Sequence, residues 1–295
     1  MKIKLPQRQL IVAAPFVLPV IALTSLFIVY PIIMTVWASL NKVDQFGRSH
    51  GFVGLANYRN LLSNPDFLAA LWRTIVWTIA VVVGTLTLSL LFAVILNMDF
   101  RGRGLARTFL LLPWATSLVV VAMLWRWMAH PDFGAIAHLV SVLGISQNRI
   151  EWLARPELSF PLMIWIAIWV SIPSTTLMLL AGMQTIEKDL YEAVFLDGAK
   201  SFRSFCDITF PMLRPVFAVA VLLNVVFVFN SFPIIWVLTE GGPAGDTDTL
   251  VTYLYKVGFR LYDMGTASAI SVVIVIILTI FAIIHTKVSW KEVLR

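Results

Sequence analysis

The 295-residue chain is 59% hydrophobic and only 13% charged, with a mean hydropathy of +0.88 and a formal net charge of +6. A soluble domain is about one quarter charged, so these values exclude an ordinary water-soluble core and describe one lipid-solvated membrane domain whose apolar residues fall in long charge-free runs. The single cysteine, Cys206, excludes an intramolecular disulfide framework, and neither a Cys-x-x-Cys pair nor a Cys/His metal spacing occurs.

A transmembrane helix needs about 20 mostly apolar residues to cross roughly 30 Å of hydrocarbon. Six segments meet that length, near Leu10 to Leu40, Ile75 to Leu96, Phe109 to Met128, Phe160 to Met183, Met212 to Leu238 and Gly265 to Ile284. The expected fold is therefore all-α and polytopic, with both termini on one side. The first run follows Lys2, Lys4 and Arg8 as a signal peptide would, but it extends well beyond an apolar core of about 7 to 15 residues and reads as a span. The side holding both termini carries thirteen of the 22 basic residues and seven of the 16 acids, a net +6 against zero on the other side. By the positive-inside rule both termini are expected in the cytoplasm, and the basic pI of 9.6 then gives no reason to invoke nucleic acid.

Every span is uncharged at its centre; Arg73 and Arg126 lie near span ends, where their stems can snorkel. Four isolated histidines, His50, His130, His138 and His285, sit at or outside the ends of the runs. No catalytic group of residues is nominated.

The longest loop on the side of the termini, about 184–211, reads as folded. Thr185 can cap a helix whose first turn holds Glu187 and Asp189, with Ile186, Leu190, Ala193 and Val194 forming one stripe. Gly198 permits a sharp turn, Ser201 can cap again, and Phe202, Phe205 and Thr209 line a second short helix before Pro211 opens the fifth span. Periodicity alone fits either a hairpin lying on the membrane surface or a rigid knob for a cytosolic partner.

Glu192-Ala193-Val194, then Asp197-Gly198-Ala199, then Ile208 and Pro211 resemble the EAA loop of ATP-binding-cassette importer permeases. Phe52-Val-Gly-Leu-Ala-Asn-Tyr58 and Leu238-Thr-Glu-Gly-Gly-Pro243 extend the resemblance, over nearly the whole chain, to permeases of the maltose and glycerol-phosphate type. Val194 stands where the family usually has a second Ala, and Glu187 where Pro is common. The resemblance implies that Glu192, Ala193, Asp197, Gly198, Ala199, Ile208 and Pro211 form a coupling element fitting a cleft on an ATPase. It further implies two ATP-binding subunits, a second permease subunit, an extracytoplasmic solute-binding protein, and residence in the cytoplasmic (inner) membrane.

No Gly-x-x-x-x-Gly-Lys-Ser/Thr sequence is present, so ATP and Mg are expected on the partner ATPase and no cofactor on this chain. A sugar or sugar derivative needs hydroxyl partners and stacking faces within the pathway. The candidates are Trp169, Ser171, Ser174 and Thr175 around Pro173 in the fourth span, with Thr176 and Trp165 beside them, and Asn224, Asn230 and Ser231 ahead of Pro233 in the fifth. In maltose-type permeases the corresponding spans line the solute site. The same Ser, Thr and Asn residues can instead bond between helices or satisfy backbone groups freed by the prolines. An ion-coupled secondary transporter would show internal repeats or an intramembrane charge, and a membrane enzyme a cluster of His, Asp, Glu or Cys; the chain offers neither pattern.

Overall fold

The computed structural model describes residues 7–144, 150–196 and 201–293. Among them the fold is helical, with one small two-stranded ribbon that the apolar pattern did not announce. Among the described residues, five helical segments are long and apolar enough to cross a membrane: Val17–Ser39, Pro65–Asn97, Pro156–Gln184, Phe202–Thr239 and Met264–Ser289.

The chain divides into two compact units. The first comprises residues 1–64 and 254–276. Helix α1 (Gln7–Thr24) passes through a π turn, Ser25–Val29, into α2 (Tyr30–Ser39). The turn ends just ahead of Pro31: the Tyr30 N–H reaches back five residues to the Ser25 carbonyl, a wider ring next to a residue that cannot donate. Strands β1 (Asn41–Val43) and β2 (Ser49–Phe52) pair antiparallel. Their connection is organised by the Asp44 carboxylate, which accepts from the Phe46 and Arg48 amides and meets His50 Nε2, each at 2.9 Å. These bonds, led by the His50 contact, hold the Asp44 pKa below its ordinary value.

Helix α3 (Ala56–Leu62) carries the polar residues of the Phe52 to Tyr58 motif. The Asn57 amide donates to the carbonyls of Ser39 and Asn41, and the Tyr58 hydroxyl to Ser39 Oγ at 2.6 Å. The motif is thus a clasp for the end of the first span. Gly265 sits where a Cβ would collide with the Asn41 carbonyl, which requires a residue without one.

The second unit, residues 65–253 and 277–295, holds the packed core. Helices α4 (Pro65–Asn97) and α8 (Pro156–Gln184) pack against each other, and α11 (Phe210–Phe229) against both. Small residues permit these approaches. A Cβ on Gly84 would strike Ile168, and one on Gly182 would lie 2.9 Å from both Leu213 Cδ1 and Val216 Cγ2. Trp77, fully buried, donates its indole N–H to the Val228 carbonyl at 3.0 Å, and Ser89 donates to the Ile172 carbonyl beside Pro173.

The third expected span, Phe109 to Met128, is not one helix. It breaks into α5 (Arg103–Leu111) and α6 (Leu118–Met128), with residues 112–117 in turns. Pro113 accounts for the interruption, because it neither donates to the helical ladder nor tolerates a carbonyl four residues back. Helix α7 (Ala135–Val142) follows. The fifth run ends in α12 (Pro233–Thr239), set off from α11 at 230–232. A short helix, α13 (Leu250–Tyr255), follows, and α14 (Met264–Val293) closes the chain.

Candidate functional site

Two regions of the second unit hold some of the residues singled out by sequence: the loop between α8 and α11, and a cleft on the facing sides of those helices.

The loop contains α9 (Lys188–Leu196), which carries Glu192 and Ala193, and α10 (Ser201–Ser204). Asp197, Gly198 and Ala199 lie outside the described residues, so the expected turn is not part of this description. Glu192 is exposed, Ile208 is buried and Pro211 is half-buried. Two local expectations change. Thr185 does not cap α9; its hydroxyl turns back to the Gly182 carbonyl at 2.8 Å and closes α8 instead. The second short helix is not separate either, because α10 runs through a π turn, Phe205–Thr209, directly into α11. The Phe210 N–H bonds the Phe205 carbonyl five residues back, just before Pro211, which repeats the arrangement ahead of Pro31.

The consequence is mechanical. The Tyr191 hydroxyl meets Thr209 Oγ1 at 3.0 Å, tying α9 to the π turn at the root of α11. At the other end of the loop, the Gln184 amide oxygen, turned toward α5, accepts from the guanidinium groups of Arg103 and Arg107 at 3.2 and 3.1 Å. The outward faces of the loop bear Leu190 and Phe202, both exposed.

The cleft has a volume of about 710 Å³ and is lined by Ser171, Ser174 and Thr175 of α8 and Asn224 of α11, among apolar neighbours that include Met178 and Phe227. Its polar groups are organised. The Asn224 amide donates to Thr175 Oγ1 at 3.1 Å and to the Ala220 carbonyl at 2.9 Å, and the Ser174 hydroxyl donates to the Ser171 carbonyl at 3.2 Å. Among the described residues, no lysine, arginine or acid lines it.

Three of the expected pathway residues do not line this cleft. Trp169 packs edge-on against Trp125 of α6, ring centroids 5.8 Å apart. The exposed Asn230 amide donates back to the Val226 carbonyl and so terminates α11, while the Ser231 N–H bonds the Val228 carbonyl; both serve the helix break before Pro233 rather than the cleft. Conversely, Trp114 and Thr116 line the cleft from the break in the third run and were not anticipated. Pro113, in the middle of an apolar run, is the signal that could have pointed to them.

Residues 85–289 match the family model described as "Binding-protein-dependent transport system inner membrane component". A probable ABC transporter permease protein of Brucella suis biovar 1 is 44% identical, the match covering 94% of this chain and 96% of that one. The trehalose/maltose transport system permease protein MalF of Thermococcus litoralis is 36% identical over 97% of this chain and 96% of its own length. In fold, the chain matches a bacterial ABC transporter involved in import of the acidic polysaccharide alginate, with a TM-score of 0.85 at 23% identity, covering 97% of this chain and 96% of that one. A bacterial alginate ABC transporter in complex with an alginate pentasaccharide-bound periplasmic protein also gives a TM-score of 0.85, at 23% identity over 96% and 95% of the two chains. A packed α4, α8 and α11 core, a helical loop joined to α11 without a break and a family match spanning residues 85–289 lead to one assignment: the chain belongs to the family of inner membrane components of binding-protein-dependent transport systems, the permeases of ABC transporters.

Proposed function

We propose that the chain forms half of the translocation pathway for a neutral carbohydrate or carbohydrate derivative, imported at the expense of ATP hydrolysed by partner subunits. The observation that carries this reading is the cleft at Ser171, Ser174, Thr175 and Asn224. It offers hydroxyl and amide partners and the Trp114 ring, with no formal charge among the described residues that line it, which suits a solute rich in hydroxyls better than an anion. The thermococcal relative named for trehalose and maltose supports the substrate class.

In this reading both termini and the loop 184–211 face the cytoplasm. Two ATPase subunits bind ATP and Mg; Glu192, Ala193, Asp197, Gly198 and Ala199 seat the loop in one of them. A second permease completes the pathway, and an extracytoplasmic solute-binding protein delivers the sugar, as the periplasmic protein bound to the alginate transporter suggests.

Alternating access requires the nucleotide to bind the inward and outward states with different affinity. Closure of the ATPases displaces α9, and the Tyr191 to Thr209 bond passes that movement to the foot of α11. Because α10, the π turn and α11 form one uninterrupted helical stretch, the displacement reaches Asn224, 15 residues and about 22 Å along the axis. There the Thr175 to Asn224 bond joins α11 to α8 across the cleft. Moving α11 changes the polar surface offered to the sugar.

The test is purification from the native membrane in mild detergent, followed by ATP hydrolysis with and without sugar-loaded binding protein. The expected result is co-purifying ATPase and permease chains, with hydrolysis stimulated by one loaded sugar. A chain that purifies alone and transports on an ion gradient would overturn the reading. Gly198→Leu is expected to keep the membrane fold and lose stimulated transport, whereas normal uptake by that variant would refute the coupling role.

A further inference from the structure

A second cavity, of about 530 Å³, opens at the far end of α6 and is lined by Met123, Arg126, Trp127, His130, Phe133, Trp236, Val237 and Glu240. It is separate in lining from the cleft at Asn224, and the volume falls within the range of small-molecule sites. We propose that this cavity is a staging site for a neutral pyranose, occupied by the sugar before it reaches the inner cleft. The proposal rests on the carbohydrate reading above and goes beyond it in naming a second site.

Trp127 is 57% exposed although it lies in an apolar helix, and Phe133 is 60% exposed. The Phe133 ring stacks on His130 with centroids 3.6 Å apart and planes within 14°, and Trp236 stacks on Phe232 at 5.2 Å and 17°. These stacks hold flat rings at the cavity wall without further loss of side-chain freedom, and flat aromatic surfaces suit the C–H faces of a sugar ring.

The polar groups are fixed from both helices. Arg126 reaches from α6 to donate to the Val237 carbonyl of α12 at 3.1 Å, and a guanidinium has five N–H donors in a planar fork. Glu240 ends α12 in a left-handed conformation, φ 52° and ψ 28°, which is uncommon outside glycine and fixes where its carboxylate starts. A cation and a carboxylate at one wall give donors and acceptors with no net charge. Sugar hydroxyls, which both donate and accept, can use the two together. A phospholipid phosphate, the competing occupant at a membrane surface, would meet attraction from Arg126 and repulsion from Glu240 together, so the wall does not select an anion.

Position supplies the third strand of the argument. Leu118, at the start of α6, lines the inner cleft, and Met123 to His130, at its end, line this cavity. One helix of 11 residues therefore links the two sites, Leu118 lying about 7 Å along its axis from Met123 and about 14 Å from Trp127. Loop 184–211 precedes α11, so the α12 end is the end away from the ATPases and the one a delivered sugar meets first.

The test uses the assembled transporter in nanodiscs of a single zwitterionic lipid, with neither binding protein nor nucleotide, and radiolabelled maltose, trehalose and glucose in equilibrium dialysis. Saturable binding of at least one sugar is expected, weakened tenfold or more by Trp127→Ala and by Glu240→Gln. Trp127→Phe, which keeps a flat ring, should restore most of it. Binding that is absent for all three sugars, or that survives both substitutions unchanged, overturns the site. So does sugar binding that appears or vanishes only when the lipid headgroup is changed, which would assign the cavity to lipid. The proposed function fails separately: it falls if the unsubstituted transporter shows no hydrolysis stimulated by loaded binding protein, whereas stimulated hydrolysis without this binding removes the staging site alone.

Discussion

Two membrane-spanning stretches of this chain differ in a direction opposite to their oiliness. The α1 to α2 segment Val17–Ser39 has a mean hydropathy of 2.4 and none of its span window is buried, whereas α8 has a mean hydropathy of 1.8 and 61% of its window is buried. In water the more apolar helix would be the one inside. In lipid apolar surface gains nothing by leaving the tails, so association rests on close packing and on bonds between polar side chains. The serines, threonines, prolines and Gly182 of α8 lower its hydropathy and are the same features that draw α4 and α11 against it. For such a chain, hydropathy locates spans, and interruptions of hydropathy locate their packing faces.

The comparison can be broken most forcefully at Gly182. With a Cβ placed 2.9 Å from Leu213 and Val216, Gly182→Leu should force α8 from α11 at a cost of about 1 to 3 kcal/mol or more. Thermal unfolding in detergent should show a clear fall in midpoint, and an unchanged midpoint would mean the helices are not packed as described. Trp77→Phe keeps most of the buried ring volume but leaves the Val228 carbonyl without its indole donor, for an expected loss of about 1 to 2 kcal/mol in the same assay.

Thr175→Val sharpens the contrast by separating stability from transport. The loss of one bond to Asn224 should cost only about 0.6 kcal/mol, the average for interhelical polar bonds in membranes, while sugar uptake by the assembled transporter should fall several-fold. Equal losses in both would reduce the cleft to a packing feature. A pH titration addresses the ribbon of the first unit: because the Asp44 pKa is depressed, its contribution is full above the ordinary value of 3.8 and is lost as pH falls below it. Amide exchange at Phe46 and Arg48 should accelerate only in that acid range. The smallest effect is expected at Ile28→Ala in the exposed π turn, within about 0.5 kcal/mol of no change for this chain.

Much of this was legible in the residues. Long charge-free runs announce α8 to within about a turn at each end, and α4 and α14 except for nearly three turns at the start of α4 and two and a half at the end of α14, because lipid imposes both length and polarity on the part it surrounds. Ser171, Ser174, Thr175 and Asn224 could be named as cleft candidates because polar groups in hydrocarbon must find partners or solute. The same reasoning could not separate them from Asn230, whose amide satisfies the end of α11, or from Trp169, whose partner Trp125 lies on another helix. Those outcomes depend on which way a helix faces, and an all-round apolar helix carries no periodicity to report it.

Backbone interruptions were harder to read. Pro113 breaks a run that hydropathy treats as continuous, and its turn brings Trp114 and Thr116 to the cleft. The π turn ahead of Pro211 does the reverse, joining what the pattern of caps divides. In both cases proline alters the ladder of backbone bonds, which a side-chain pattern records only indirectly.

The central claim, that sugar passes the α8 and α11 cleft, is tested most directly at Ser174, which is exposed there. In the assembled transporter carrying Cys206→Ser and Ser174→Cys, the rate at which a water-soluble methanethiosulfonate modifies the introduced thiol is measured with sugar-loaded binding protein and a non-hydrolysable ATP analogue, and again with empty binding protein. The account predicts slowing of fivefold or more when the sugar is present; equal rates in the two conditions would contradict it.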